Sequence, residues 1–187
     1  MRLHESGMAE KEVGLAQNGS ELCLSCGLCC RGFLHNWGVL EDNELESANQ
    51  LGLSVIRDEQ RQGFRLPCPC FREERCVIYS QRPRACRSYR CKLLKGYLNA
   101  EIHLEDGLEI VKTAKDMIKR LELPSPEGKP DTYIWKQIVA DLYSLEDEAQ
   151  GLELRRMNAE LLMGLAVLYA YLGRHFKLPR EQTGVIQ

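Results

Sequence analysis

The sequence predicts an α-rich α+β fold, with an irregular cysteine region bearing short strands and three helices packed on it. Three observations point there. All nine cysteines lie between Cys23 and Cys91, and the 96 residues after Cys91 contain none. Downstream, apolar residues recur at three- and four-residue steps, the period of a helix face. Upstream, apolar runs are short and partly rich in β-branched residues. The chain has 187 residues, 44% apolar and 28% charged. That is globular composition, with length for one domain and a helical appendage.

Three stretches follow in order. Residues 1–20 are a polar leader without the apolar core of a secretory signal. Residues 21–95 are the cysteine region. Within it Phe33 to Leu40 and Cys76 to Tyr79 read as strands. Asn43-x-x-Glu46 reads as a capping box for a helix carrying Leu45, Ala48 and Leu51 and closed by Gly52. Ser80 stands at an N-cap position before the segment around Pro83.

Residues 96–187 are the helical region. Leu104, Leu108, Val111, Met117, Ile118 and Leu121 mark one face of a first helix. Leu123-Pro-Ser-Pro-Glu-Gly-Lys-Pro130 breaks it. Asp131 and Thr132 can cap a second helix with Ile134, Ile138, Leu142 and Leu145. A third runs from about Leu152 to Leu172 and stops at Gly173. Its second half, LLMGLAVLYAYL, is apolar almost all round, which predicts burial in the domain or against a second copy in a homodimer. The longest apolar run, Leu161 to Gly173, would cover only ~20 Å of helix, so no membrane span is expected.

With no secretory signal, a reducing cytoplasmic setting is expected, where disulfides do not persist. An odd number of cysteines also defeats an all-disulfide scheme. Cys23-Leu-Ser-Cys26-Gly-Leu-Cys29 has the spacing by which a loop aims three sulfurs at one iron–sulfur cluster. Gly27 lets the backbone curl around such a site. The second group is Cys68-Pro69-Cys70, Cys76, Cys86 and Cys91, and a remote Cys-Pro such as Cys68 is one way to supply a fourth ligand. Cys29 and Cys30 are adjacent, and neighbouring side chains in extended backbone point apart. They serve two metals, or one is a ligand and the other free. Eight thiolates fill two tetrahedral sites with the ninth spare, or one four-cysteine cluster with reactive thiols beside it. The sequence leaves both open.

Charge adds a separate argument. Arg65 to Lys95 holds nine basic residues against Glu73 and Glu74, a local +7 in a chain of net −2. A metal held by four thiolates is a net anion, and nearby arginines offset it and lower thiol pKa. Arginines threaded between cysteines, with few aromatics beyond Tyr79 and Tyr89, argue against a nucleic-acid partner. Tyr79 and Tyr89 flank the thiols, packing against them or bonding sulfur. Arg82 and Arg87 can hold an anionic substrate, a carboxylate or the thiolates. His35 reads as a surface residue before a ligand, His175 as a helix-end cation, and Trp37 and Trp135 as packing residues. CxxxCxxC, GxGxxG, GxxxxGK and HExxH are all absent.

The arrangement Cys23-x2-Cys26-x2-Cys29-Cys30-Arg31, Cys68-Pro69, then Cys76-Val-Ile-Tyr79-x3-Pro83-x2-Cys86-Arg87-x-Tyr89-x-Cys91 resembles the CxxCxxCC (YkgJ-type) family of zinc- or iron-chelating cysteine-cluster proteins. The resemblance spans about residues 20–95. It implies Cys23, Cys26, Cys29, Cys30, Cys68, Cys76, Cys86 and Cys91 as metal ligands. Cys70 departs from the pattern, as a buried thiol or an adventitious extra ligand. Relatives described as iron–sulfur proteins, and a branch resembling a flagellin lysine methylase, imply an iron–sulfur cluster of 4Fe-4S type in an oxidoreductase or methyl-transfer role, with a redox or protein partner. The alternative cofactor is Zn2+, in a structural module acting through interaction or regulation. Paired CxxC knuckles at zinc-ribbon spacing are missing. A thiol–disulfide switch at Cys23 and Cys26 is a third reading, without the βαβ context it needs.

Overall fold

The computed structural model describes residues 19–121 and 148–177. The chain opens with helix α1 (Ser20–Cys26), then strand β1 (Trp37–Val39) and helix α2 (Leu45–Gln50). Strands β2 (Val55–Arg57), β3 (Gln62–Arg65), β4 (Phe71–Arg72) and β5 (Arg75–Cys76) follow. Helices α3 (Arg84–Ser88), α4 (Lys92–Leu98) and α5 (Leu104–Arg120) come next. After the segment outside the described residues come α6 (Glu148–Met157) and α7 (Ala159–His175). The α-rich α+β class is the one the sequence predicts.

The strands form two small antiparallel units. The first has the order β1-β3-β2, with Gly38 opposite Phe64 and Ile56 opposite Gly63. The second is the β4–β5 hairpin, with Phe71 opposite Cys76. Its turn residues Glu73 and Glu74 both have positive φ, 48° and 60°. That is the geometry two-residue hairpins favour.

Two cores result. Helix α5 buries Val111, Ala114 and Ile118 against Leu22 of α1, Leu93 and Leu94 of α4, and Leu165, Leu168 and Leu172 of α7. A smaller core under the three-stranded sheet holds Leu40, Ala48, Leu53, Phe64 and Cys70. The end of α7 is tied to the start of α4, because Lys92 donates its backbone N–H to the Phe176 carbonyl and its Nζ to the Arg174 carbonyl.

Several local expectations are corrected. The first strand is confined to Trp37–Val39, and the extended stretch at Cys76 ends there, giving way to a 3-10 turn over Tyr79–Gln81. The capping box lies at Glu41 and Glu44, because the Glu41 carboxylate takes the N-cap role and a 3-10 turn over Asp42–Glu44 leads into α2. Ser80 lies inside the Tyr79–Gln81 turn, and Pro83 precedes α3. The third predicted helix divides at Asn158, and α7 runs through Gly173 to His175. Its burial is one-sided, with Met163 at 70% and Val167 at 56% exposure. The helix predicted around Ile134 to Leu145, Trp135 and nearly all of the leader lie outside the described residues.

Candidate metal centre

Cys23 and Cys26 lie three residues apart on α1, one turn on the same face. The helix ends at Gly27, whose φ of 66° is left-handed and whose N–H bonds the Cys23 carbonyl. A second turn follows, held by Arg31 N–H to the Gly27 carbonyl at 2.9 Å and Gly32 N–H to the Cys29 carbonyl at 3.0 Å. It carries Cys29 and Cys30 beside the fully buried Leu28.

The later cysteines reach this loop by two close approaches. The Cys68 N–H donates to the Cys30 carbonyl at 2.7 Å. The Phe71 ring lies where a side chain on Gly27 would stand, so only glycine admits the hairpin there. Cys76 sits in β5, Cys86 on α3, and Cys91 caps α4, its sulfur accepting the Leu94 N–H at 3.4 Å.

All eight cysteines of the family pattern line one cavity of about 110 Å³, and Cys70 does not. A single water needs roughly 10–15 Å³ on this measure, so the space suits a larger occupant. Cys70 is 3% exposed and donates its thiol to the Leu51 carbonyl at 3.1 Å. None of the nine cysteines is in a disulfide.

Among the polar side chains, Tyr79, Arg82 and Tyr89 line the cavity. The Arg82 guanidinium lies 3.5 Å over the Tyr79 ring, and its Nε donates to the Tyr79 carbonyl at 2.8 Å. Arg87 lies exposed on α3, away from the cavity. Arg90, which the sequence does not single out, acts on Cys23 electrostatically. His35 is no surface residue; it is buried in the wall, edge-on to Tyr89 at 4.6 Å. Nothing in its sequence surroundings marks this, since the placement depends on Tyr89 from a distant segment.

Burial dominates the chemistry of the thiols. It pushes Cys26 and Cys68 up to about 12, and Cys86 and Cys91 up to about 11. Cys29 is pushed well above its ordinary value by burial, then by Cys26, Cys91 and Cys23. Cys30 is raised, first by its neighbour Cys76 and then by burial, and Cys76 is lowered, first by Cys30. Arg82 opposes the rise at Cys23 and Cys86 and adds to the fall at Cys76. At the far end of α7, partial burial and then Arg174 and Lys92 lower the pKa of His175, against its expected role as a helix-end cation.

These residues suit a thiophilic metal. The donors are soft sulfurs crowded in a low-dielectric space, where a metal cation can replace protons that burial otherwise retains. Among the described residues no three or more His, Cys, Asp or Glu side chains stand in ion-holding geometry. Among the described residues no helix is long and apolar enough to cross a membrane.

No curated protein and no solved structure matches the chain. Residues 22–114, which run from α1 into α5 and include every cysteine of the cavity, match the family model CxxCxxCC, described as a putative zinc- or iron-chelating domain. With the residue pattern and the matching family model in agreement, residues 22–114 of the chain belong to the CxxCxxCC family.

Proposed function

We propose that the chain binds an iron–sulfur centre through its cavity cysteines and works in electron transfer with a protein partner. One observation carries this: eight of nine cysteines, drawn from segments more than thirty-five residues apart, line one cavity, and the ninth is occupied elsewhere with a backbone carbonyl. The CxxCxxC turn around Gly27 supports iron, since it presents three sulfurs from one short loop. An iron–sulfur centre supplies one-electron chemistry when bound. The protein's part is to exclude water with Leu28, Phe64 and Phe176 and to oppose the cluster's negative charge with Arg82. The arginine would raise the reduction potential and the exclusion of water would lower it.

Zinc is the second reading. It is favoured by the small size of the core beside Cys68 and Cys86, where a metal would stand in for missing apolar packing. Anaerobic purification followed by iron, sulfide and zinc analysis separates the two. Broad visible absorbance with matching sulfide supports the cluster. A colourless zinc-loaded protein supports the second reading. A folded protein that takes up neither metal overturns both.

A further inference from the structure

The adjacent thiols Cys29 and Cys30 belong to different neighbourhoods. Cys29 feels Cys26, Cys91 and Cys23 more strongly than Cys86. Cys30 instead lies within electrostatic reach of Cys68 and Cys76, besides its chain neighbour Cys29. Its carbonyl also takes the Cys68 N–H.

Packing divides the cysteines the same way. Cys23, Cys26 and Cys91 pack on the main core of α1, α4, α5 and α7. Cys68 and Cys86 pack on the small core under the sheet. Cys76 is placed beside Cys68 because Phe71, its strand partner, donates its N–H to the Cys68 carbonyl at 3.0 Å. Sequence order does not produce this grouping. Cys91 falls with Cys23 and Cys26, and Cys30 falls with the later residues.

We infer that the cavity holds two four-thiolate centres, Cys23, Cys26, Cys29 and Cys91 against the main core, and Cys30, Cys68, Cys76 and Cys86 against the small one. This rests on the metal-binding reading above and names its ligand sets. Each set offers four sulfurs, enough to close one tetrahedral zinc site or one cubane cluster. Cys91 rather than Cys68 completes the CxxCxxC loop. The peptide bond between Cys29 and Cys30 is the one place where the two sets are adjacent in the chain. Arg82 faces both, acting on Cys23 in one and on Cys76 and Cys86 in the other. Each metal that enters displaces the protons its thiols hold.

The test uses the full chain, loaded in parallel with Zn2+ alone and, without oxygen, with iron and sulfide. Metal content is measured, and a pulse of N-ethylmaleimide is mapped by mass spectrometry. Two double variants accompany the native chain, Cys26→Ala with Cys91→Ala and Cys68→Ala with Cys86→Ala. The native chain should hold about two centres, the number that eight thiolates can close. The first variant should lose about half the metal and expose Cys23 and Cys29 to labelling roughly tenfold faster, with Cys30 and Cys76 still protected. The second should give the reciprocal pattern. If one variant does not fold, the other carries the test. One centre per native chain, or labelling that spreads over both sets in a folded variant, overturns the partition and leaves metal binding standing. No uptake of either metal, with all eight thiols labelled at once, overturns the metal-binding reading itself.

Discussion

The helical side and the thiol side of this molecule are held together by different means. On the helical side, twelve of the described residues, all buried and apolar, from α1, α4, α5, α7 and the adjoining loops form one continuous core. On the thiol side the described residues offer five, one of them Cys70, beneath a sheet whose strands are three and four residues long. Such short strands are marginal unless something else fixes them. The difference teaches that the helices are stabilised by apolar burial, whereas the cysteine region has organised its chain around a space lined with sulfur. The two sides meet at Phe176 and Cys91, where the end of α7 bonds the start of α4.

Removing the metal is the strongest way to break this comparison. Structural zinc contributes on the order of 10–16 kcal/mol in small metal-folded modules. A chelator should therefore speed hydrogen exchange across residues 60–91 and leave α5 and α7 protected. Uniform loss of protection in both regions would sink the distinction.

Core truncation comes next. Leu168→Ala, on α7 and outside the cavity wall, should cost roughly 2–5 kcal/mol in urea unfolding with metal content unchanged. Phe64→Ala should cost a similar ~3–5 kcal/mol and also lower metal retention, because its ring lines the cavity. Equal metal content in the two variants would contradict the assignment of Phe64 to the thiol side.

A smaller effect is expected at Gly27. Gly27→Ala places a methyl into the Phe71 ring at a left-handed position. It should cost roughly 1–3 kcal/mol and weaken metal uptake by separating the hairpin from the first loop. Native-like uptake would show that this contact does not bring the loops together.

The metal-free protein should respond to alkali. Burial raises Cys26, Cys68, Cys86 and Cys91 above the 9.0 of a free thiol, to between about 11 and about 12. Between those values the folded state holds protons that the unfolded chain has released. Their stabilising contribution is complete below pH 9 and is lost as pH rises toward 11 and 12. The urea midpoint should fall over that window; a flat profile would deny the burial. The smallest change is expected for Cys70→Ala, about 1 kcal/mol for one lost hydrogen bond, with metal content as in the native chain. A drop in metal would make Cys70 a ligand.

Much of the helical side was legible because α5 keeps a clean three-and-four period and lies beside a polar face. Less was legible in the cysteine region. The pair β2 and β3 is short, three and four residues, with no alternation long enough to read. The β4–β5 turn uses Glu73 and Glu74 in left-handed conformation instead of the Asn-Gly or Asp-Gly that signals a hairpin. The capping box was displaced because glutamate is an unusual N-cap. No local residue announces the break at Asn158 or the passage of α7 through Gly173, on either side of which Leu172 and Phe176 are buried in the main core.

From sequence came the resemblance to the family and, through it, the eight-cysteine pattern from which Cys70 departs. These depend on residue type and spacing, which the chain carries openly. Tertiary structure decided which segments meet at the cavity, and that His35 and Arg82 share it while Arg87 does not. The reason is physical: these relations arise where Phe71 meets Gly27 and Cys68 meets Cys30, contacts between distant segments that only the folded backbone brings within bonding distance.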